Sequence, residues 1–168
     1  MTIQIVRATR DLMDEVRACI NSNSELYESI SDPKDLNEHV VSDEWAERNF
    51  KIREFYLVQD DDSGEFLGEG SFQVLGTFAY IGYFYIKAGH QQNGLGRQLM
   101  EYLEQRALDE GLHDLRLFVH RRATWARAFY TKLGFMPLFD NKRKILAIED
   151  GIMKPFYEEG SIMMQKLV

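Results

Sequence analysis

The sequence predicts an α+β fold: a mixed, mostly antiparallel sheet flanked by helices, in the order β-α-α-βββ-α-β-α-β-β, within one domain over residues 1–168. Three observations carry this reading. Between residues 54 and 87, apolar residues alternate in short runs separated by Asp60-Asp61-Asp62-Ser63-Gly64 and by Gly76, the pattern of an antiparallel meander. At 95–107 and 125–133, apolar residues instead recur every four positions, as on a helix face packed against a core. Between those two helices Leu115, Leu117 and Val119 alternate again, so helix and strand take turns in the second half of the chain.

Each element follows in order. Ile3 to Arg7 reads as a strand, and Thr9 as the cap of a helix carrying Leu12, Val16 and Ile20. Residues 21–53 are mixed: Asp32-Pro33 marks a turn or helix start, Leu36 with Val40 and Val41 one short helix, and Trp45 with Phe50 another. Phe55, Leu57 and Gln59 open the meander, Glu65 to Leu75 continues it, and Thr77 to Lys87 closes it, with Gly82 marking a bulge. Leu95, Leu99, Leu103 and Ala107 form a helix stripe ended by Gly111. Trp125, Phe129 and Leu133 form a second one, closed by Gly134. Phe135 to Phe139 and Ser161 to Val168 read as strands, and the irregular stretch 140–160 is a candidate lid, edge or homodimer contact.

The net charge of -7 argues against a nucleic-acid partner, which usually needs a basic face. Cys19 is the single cysteine, so no internal disulfide forms and no thiolate metal cluster is expected. No apolar run nears the roughly 20 residues of a membrane helix. The opening MTIQIVRATRDL lacks the apolar centre of a secretion signal, so a cytoplasmic protein without a membrane partner is expected.

Gln91-Gln92-Asn93-Gly94-Leu95-Gly96 joins a strand to a helix. A helix N-terminus offers free N–H groups and about half a positive charge, and glycine lets an anion approach the backbone. A Walker-type loop would need Gly-Lys-Ser/Thr, which is missing; a dinucleotide fingerprint would need a small residue where Leu99 stands. A tight turn with no ligand is the plain alternative.

This strand-QxxGxG-helix-strand-helix arrangement resembles the GCN5-related N-acetyltransferase (GNAT) family. Gln91, Gly94 and Gly96 match the family's phosphate motif, AYIGYFYIKAGH lies in place of its fourth strand, and FYTKLGF and MMQKLV are similar to its closing segments. The resemblance covers most of the chain from about residue 54 onward. It implies the acyl-CoA N-acyltransferase fold and a site for acetyl-CoA, with no metal. By position, backbone amides of Gln92, Asn93, Gly94, Leu95, Gly96 and Arg97 would hold the pyrophosphate, and Phe84, Tyr85 and Ile86 would pair with the pantetheine arm where two strands splay. Arg97 and Lys132 are candidates for further phosphate contacts, or ordinary solvated charges.

The implied reaction is direct attack of a primary amine on the thioester. Tyr130 falls where many members carry an active-site tyrosine, and a phenol with a pKa near 10 can protonate the leaving sulfur. The base stays open. No carboxylate occurs between Thr77 and Lys87, where members often place one. Glu69 is a candidate acting through water, and His120 is another. Ala123 stands where the family often has Asn. The acidic stretch with Glu25, Glu28, Asp32, Asp35, Glu38, Asp43, Glu44 and Glu47 is either a mouth for a cationic small-molecule or peptidyl amine or a solvated surface. A non-catalytic acyl-CoA binder of the same fold is the alternative function, and an interaction domain with an empty glycine turn a third.

Overall fold

A computed structural model describes residues 1–91 and 93–168. The strands are β1 (Ile3–Arg7), β2 (Glu54–Asp60), β3 (Phe66–Leu75), β4 (Phe78–Ile81), β5 (Phe84–Ile86), β6 (Asp114–His120), β7 (Met136–Phe139) and β8 (Ser161–Leu167). The helices are α1 (Met13–Asn21), α2 (Ser24–Glu28), α3 (Asp43–Ile52), α4 (Leu95–Asp109), α5 (Thr124–Lys132) and α6 (Lys142–Leu146). The strands form one sheet in the order β1-β2-β3-β4-β6-β8-β7, with β5 off the path on β3. Among the described residues β4–β6 is the one parallel pair. The α+β reading therefore holds.

The expected third strand is two strands, because the chain breaks at Gly82. Ala79–Ile81 pair with Leu115–Leu117 of β6, whereas Phe84–Ile86 pair with Gly68–Gly70 of β3 alone. Ser71 holds the break: its N–H donates to Tyr83 O at 2.8 Å, and its hydroxyl accepts the Tyr83 N–H at 2.8 Å. β6 meanwhile follows β8 as far as His120↔Ser161. No β5–β6 pairing occurs among the described residues, so the sheet parts there.

The period-two pattern sends alternate residues to opposite faces. Leu95, Leu99, Met100, Leu103 and Ala107 of α4, with Tyr130 of α5, pack on one face against Ala79, Ile81, Leu115 and Leu117. Val16, Cys19 and Ile20 of α1 and Trp45 of α3 pack on the other against Phe55, Leu57, Tyr83 and Tyr85. Residues 140–160 contain α6 and two short 3-10 turns, and they seat Ile145 and Met153, both fully buried, against Phe78, Tyr80 and Met163. This stretch is a packed wall.

Two local expectations change. Thr9 caps a 3-10 turn at Arg10–Leu12 ahead of α1, and makes no side-chain bond to the turn's backbone; its hydroxyl donates to Asp11 instead. The short helix expected at Leu36 and Val40 is a 3-10 run, Pro33–Glu38, started by Asp32, whose carboxylate accepts from Lys34 N at 3.1 Å. A short polar cap and a proline fix that start, but six residues bury none of their number, so packing does not extend the run. Among the described residues no helix is long and apolar enough to cross a membrane.

Candidate active site

The parted strands open a groove of about 850 Å³ between α2, β5, the start of α4 and α5. Along β5, hydrogen bonds to β3 run through odd-numbered residues, including Ser71 N–H to Tyr83 O and Lys87 N–H to Leu67 O, each at 2.8 Å. The backbone groups of Phe84 and Ile86 therefore face away from β3, across the gap. The Ile86 carbonyl already accepts from Asn23 Nδ2 at 3.0 Å and from Gln91 Nε2 at 3.1 Å. Gln91 also accepts the Gly89 N–H at 3.0 Å. Its amide is thus a strut tying the loop before α4 to the end of β5.

At the other end of the groove, α4 begins at a left-handed Gly94 (φ 77°). An added Cβ there would meet nothing within 4 Å, so the dihedral is what demands glycine. The first intrahelical bond of α4 runs from Gln98 N–H to the carbonyl of its cap, Gly94, at 3.1 Å, which leaves the amides of Leu95, Gly96 and Arg97 without a partner inside the helix. Gly96 serves a different need from the expected one. A Cβ on it would lie 2.7 Å from the Phe129 ring, so it lets α4 and α5 approach closely.

Tyr130 sits on α5 where this groove meets a second, smaller pocket, and it lines both, as do Tyr27, Phe84, Tyr85 and Ala126. Its ring is wedged among Phe84, Phe129 and Phe135. Burial, with Tyr27 and Glu69 nearby, pushes its phenol well above the ordinary tyrosine range. The hydroxyl keeps its proton at neutral pH and is a donor. The second pocket holds Tyr80, Phe118 and Phe156 with His39, His120 and Glu158.

Residues 19–135 match the family model described as "Acetyltransferase (GNAT) family". The chain belongs to this family. No curated protein matches it significantly. Among solved structures, it is similar to the PaiA N-acetyltransferase of Thermoplasma acidophilum in complex with coenzyme A, at 18% identity over 100% of both chains and a TM-score of 0.75. It is also similar to a GNAT-family acetyltransferase of Staphylococcus aureus Mu50, at 15% identity over 99% of both chains and a TM-score of 0.74. A third similar structure is a GNAT-family acetyltransferase of Elizabethkingia anophelis with acetyl-CoA bound, at 18% identity over 99% of this chain and 98% of that one, with a TM-score of 0.65. At such identities the likeness shows the fold.

Within this GNAT domain, Phe84, Tyr85, Ile86, Gln91, Gly94, Gly96, Arg97, Tyr130 and Lys132 all line the groove. Leu95 is buried in the core and is not among the lining residues. Asn93 is exposed and is not among the lining residues, and Gln92 lies outside the described residues. Glu69 is not brought to the cleft. It is fully buried on β3, lines neither cavity, and both carboxyl oxygens are without a hydrogen-bond partner among the described residues. Its neighbours Gly68 and Gly70 face α4 and β5, so the strand's alternation turns Glu69 toward α1.

Burial raises the Glu69 carboxyl well above the usual carboxylate range, against a smaller pull from Arg53. The folded protein therefore holds this proton over a pH range in which the unfolded chain has lost it. Stability from the neutral form is complete below the unfolded value and is lost as pH rises through the folded one. Glu69→Met is expected to raise the melting temperature, with a gain that grows from about pH 5 to pH 8 and reaches the equivalent of about 1–3 kcal/mol. A gain constant across that range would show that the carboxyl is not held neutral.

The acidic segment does not form a mouth. None of its eight named carboxylates lines either cavity. Asp43 pairs with Arg17 at 2.5 Å, Glu47 with Arg10 at 2.8 Å, and Glu38 accepts from the Tyr83 hydroxyl. The pocket's carboxylate is Glu158, from the opposite end of the chain. Asn23, Tyr27, Trp125, His39 and Glu158 line the two cavities and went unremarked as such in the sequence; no local signal marks them, since the contacts that bring them there span up to 119 residues.

Proposed function

We propose that the protein is an acetyl-CoA-dependent N-acetyltransferase that acylates a primary amine by direct attack on the thioester. The observation that carries this reading is the parting of β5 from β6, which joins a groove starting at the α4 N-terminus to a separate pocket at Tyr130. In the proposed site the free amides of Leu95, Gly96 and Arg97 hold the pyrophosphate, with Arg97 and Lys132 as flanking cations. The outward backbone groups of Phe84 and the Ile86 N–H pair with the pantetheine amides, while Gln91, bonded to the Ile86 carbonyl, fixes the loop that both depend on. The bound thioester supplies the activated acetyl group. A backbone N–H of β5 is available to the developing oxyanion. The Tyr130 hydroxyl donates its proton to the departing sulfur.

The acceptor enters the second pocket. Its aromatic walls, Tyr80, Phe118 and Phe156, favour an alkyl or aryl body, and Glu158 at the rim favours a cationic amine. Coenzyme A at about a hundred times its Kd is expected to stabilise the fold by about 2.7 kcal/mol, a rise in Tm of roughly 5–10 °C for a chain of this size. Thiol release with acetyl-CoA and a panel of alkyl and aryl amines then tests transfer. Stabilisation by CoA with no thiol release from any amine would instead make the protein an acyl-CoA binder.

A further inference from the structure

The second pocket contains a continuous hydrogen-bonded chain that joins three distant segments. Glu158, in the loop leading to β8, meets His39 Nε2 at 2.9 Å. His39 Nδ1 meets the Tyr85 hydroxyl at 3.0 Å, and Tyr85 stands on β5 at the junction of the two cavities. The His39 ring is clamped by Tyr27, stacked at 4.6 Å between centroids and 5° between planes. His39 and Glu158 side chains are 14% and 22% exposed, so the chain of bonds reaches solvent at this end.

The partners fix the tautomer. A carboxylate only accepts, so Nε2 carries the hydrogen toward Glu158 and Nδ1 offers its lone pair to the Tyr85 hydroxyl. His120, the other pocket histidine, is set the opposite way. Its Nδ1 accepts the Arg122 N–H at 3.1 Å, so a neutral ring has only an N–H left on Nε2. Burial also lowers its affinity for a second proton, reinforced by Arg122, His39 and Arg121 and opposed by Glu158. Glu69 is sealed away and protonated. Of the expected base candidates, neither presents a free lone pair to the cleft.

We infer that Glu158, His39 and Tyr85 form the relay that takes the proton from the acceptor amine. The inference rests on the acetyltransferase reading and supplies the base that reading lacks. The acceptor attacks as the neutral amine, having left its ammonium proton to solvent on entering the pocket. As the N–C bond forms, the amine nitrogen gives its next proton to Tyr85 Oη, and the Tyr85 hydroxyl proton passes to His39 Nδ1. The resulting imidazolium is neutralised by Glu158 and later returns its proton to solvent at the pocket rim. The C–S bond breaks as Tyr130 protonates the sulfur, and solvent reprotonates Tyr130. Tyr85 is a conduit and not itself the base: burial, with Tyr27, Tyr83, Tyr130 and Glu69 nearby, holds its phenol well above the usual range. The titratable groups facing His39 are Glu158, Tyr85, Tyr27 from α2 and His120 from the end of β6, with Glu38 its chain neighbour.

The test follows kcat against pH at saturating acetyl-CoA and acceptor, with CoA affinity measured by calorimetry. In the parent protein kcat is expected to fall on the acid side, where the relay no longer accepts a proton. His39→Gln and Tyr85→Phe are each expected to lower kcat by at least about 100-fold, remove that limb and leave CoA affinity within about twofold. Glu158→Gln keeps the hydrogen-bond shape without the charge and is expected to lower kcat by a smaller factor. Nitrogen-15 spectra of the parent protein give a readout independent of any variant's folding, with the His39 ring proton expected on Nε2. A proton on Nδ1, or a His39→Gln variant with parental kcat and an intact acid limb, overturns the relay while CoA binding stands. If CoA does not bind the parent protein, or no amine is acetylated, the acetyltransferase reading falls and the relay falls with it.

Discussion

Tyr130→Phe is expected to lower kcat for acetyl transfer by roughly 10²- to 10⁴-fold, the usual range for removing a positioned proton donor. The ring itself is structural, packed among Phe84, Phe129 and Phe135, and phenylalanine preserves those contacts. CoA affinity and Tm should therefore stay close to those of the parent. The split between turnover and binding is the diagnostic part, because a purely structural tyrosine would lose both or neither. The hydroxyl remains protonated far into the alkaline range, so the loss should be uniform across neutral pH. Retention of full turnover in Tyr130→Phe would remove the residue from the chemistry and leave protonation of the sulfur to solvent.

Gly96→Val is expected to abolish CoA binding and to destabilise the fold by about 1–3 kcal/mol, the range for overpacking a filled site. The new Cβ would fall 2.7 Å from the Phe129 ring, so α4 and α5 must separate or Phe129 must swing toward Phe84, which lines the groove. Gly94→Ala is its control. Nothing lies within 4 Å of an added Cβ there, and the residue suffers only its left-handed dihedral, costing about 1 kcal/mol and weakening CoA modestly. Calorimetry with CoA and thermal melting of both variants separate the two roles. Equal losses at the two positions would mean that the helix start, and not the α4–α5 contact, dominates.

The architecture was legible because its signals are local. Four-residue stripes at Leu95–Ala107 and Trp125–Leu133 and alternation at Leu115–Val119 each name an element without outside help, and the glycines at 94 and 82 mark backbone that must turn or break. The acceptor side was not legible. Glu158 and His39 meet only because β8 returns beside β6 and the run at 33–38 folds over β5, and neither residue has a neighbour in sequence that foretells the other. Glu69 misled for a related reason. Periodicity places it on a strand beside the cleft, but the identity of its buried face depends on which helix covers it, and that is set by α1. Gly96 stands out in the sequence as half of a glycine pair, but the close contact that requires a glycine there is with Phe129, across the helix pair.

The unpaired side of β5 has a consequence for solubility. A strand edge with free amides and carbonyls ordinarily invites pairing with a strand of another molecule and, from there, aggregation. Here that edge is three residues long and lies in a trench whose walls, α2 and α5, meet through the Tyr27–Trp125 ring contact at 6.2 Å. A foreign strand cannot lie along it, whereas a thin flexible chain can thread in. The gap in the sheet is thus narrow and walled, and its short edge is shielded from strand-to-strand pairing.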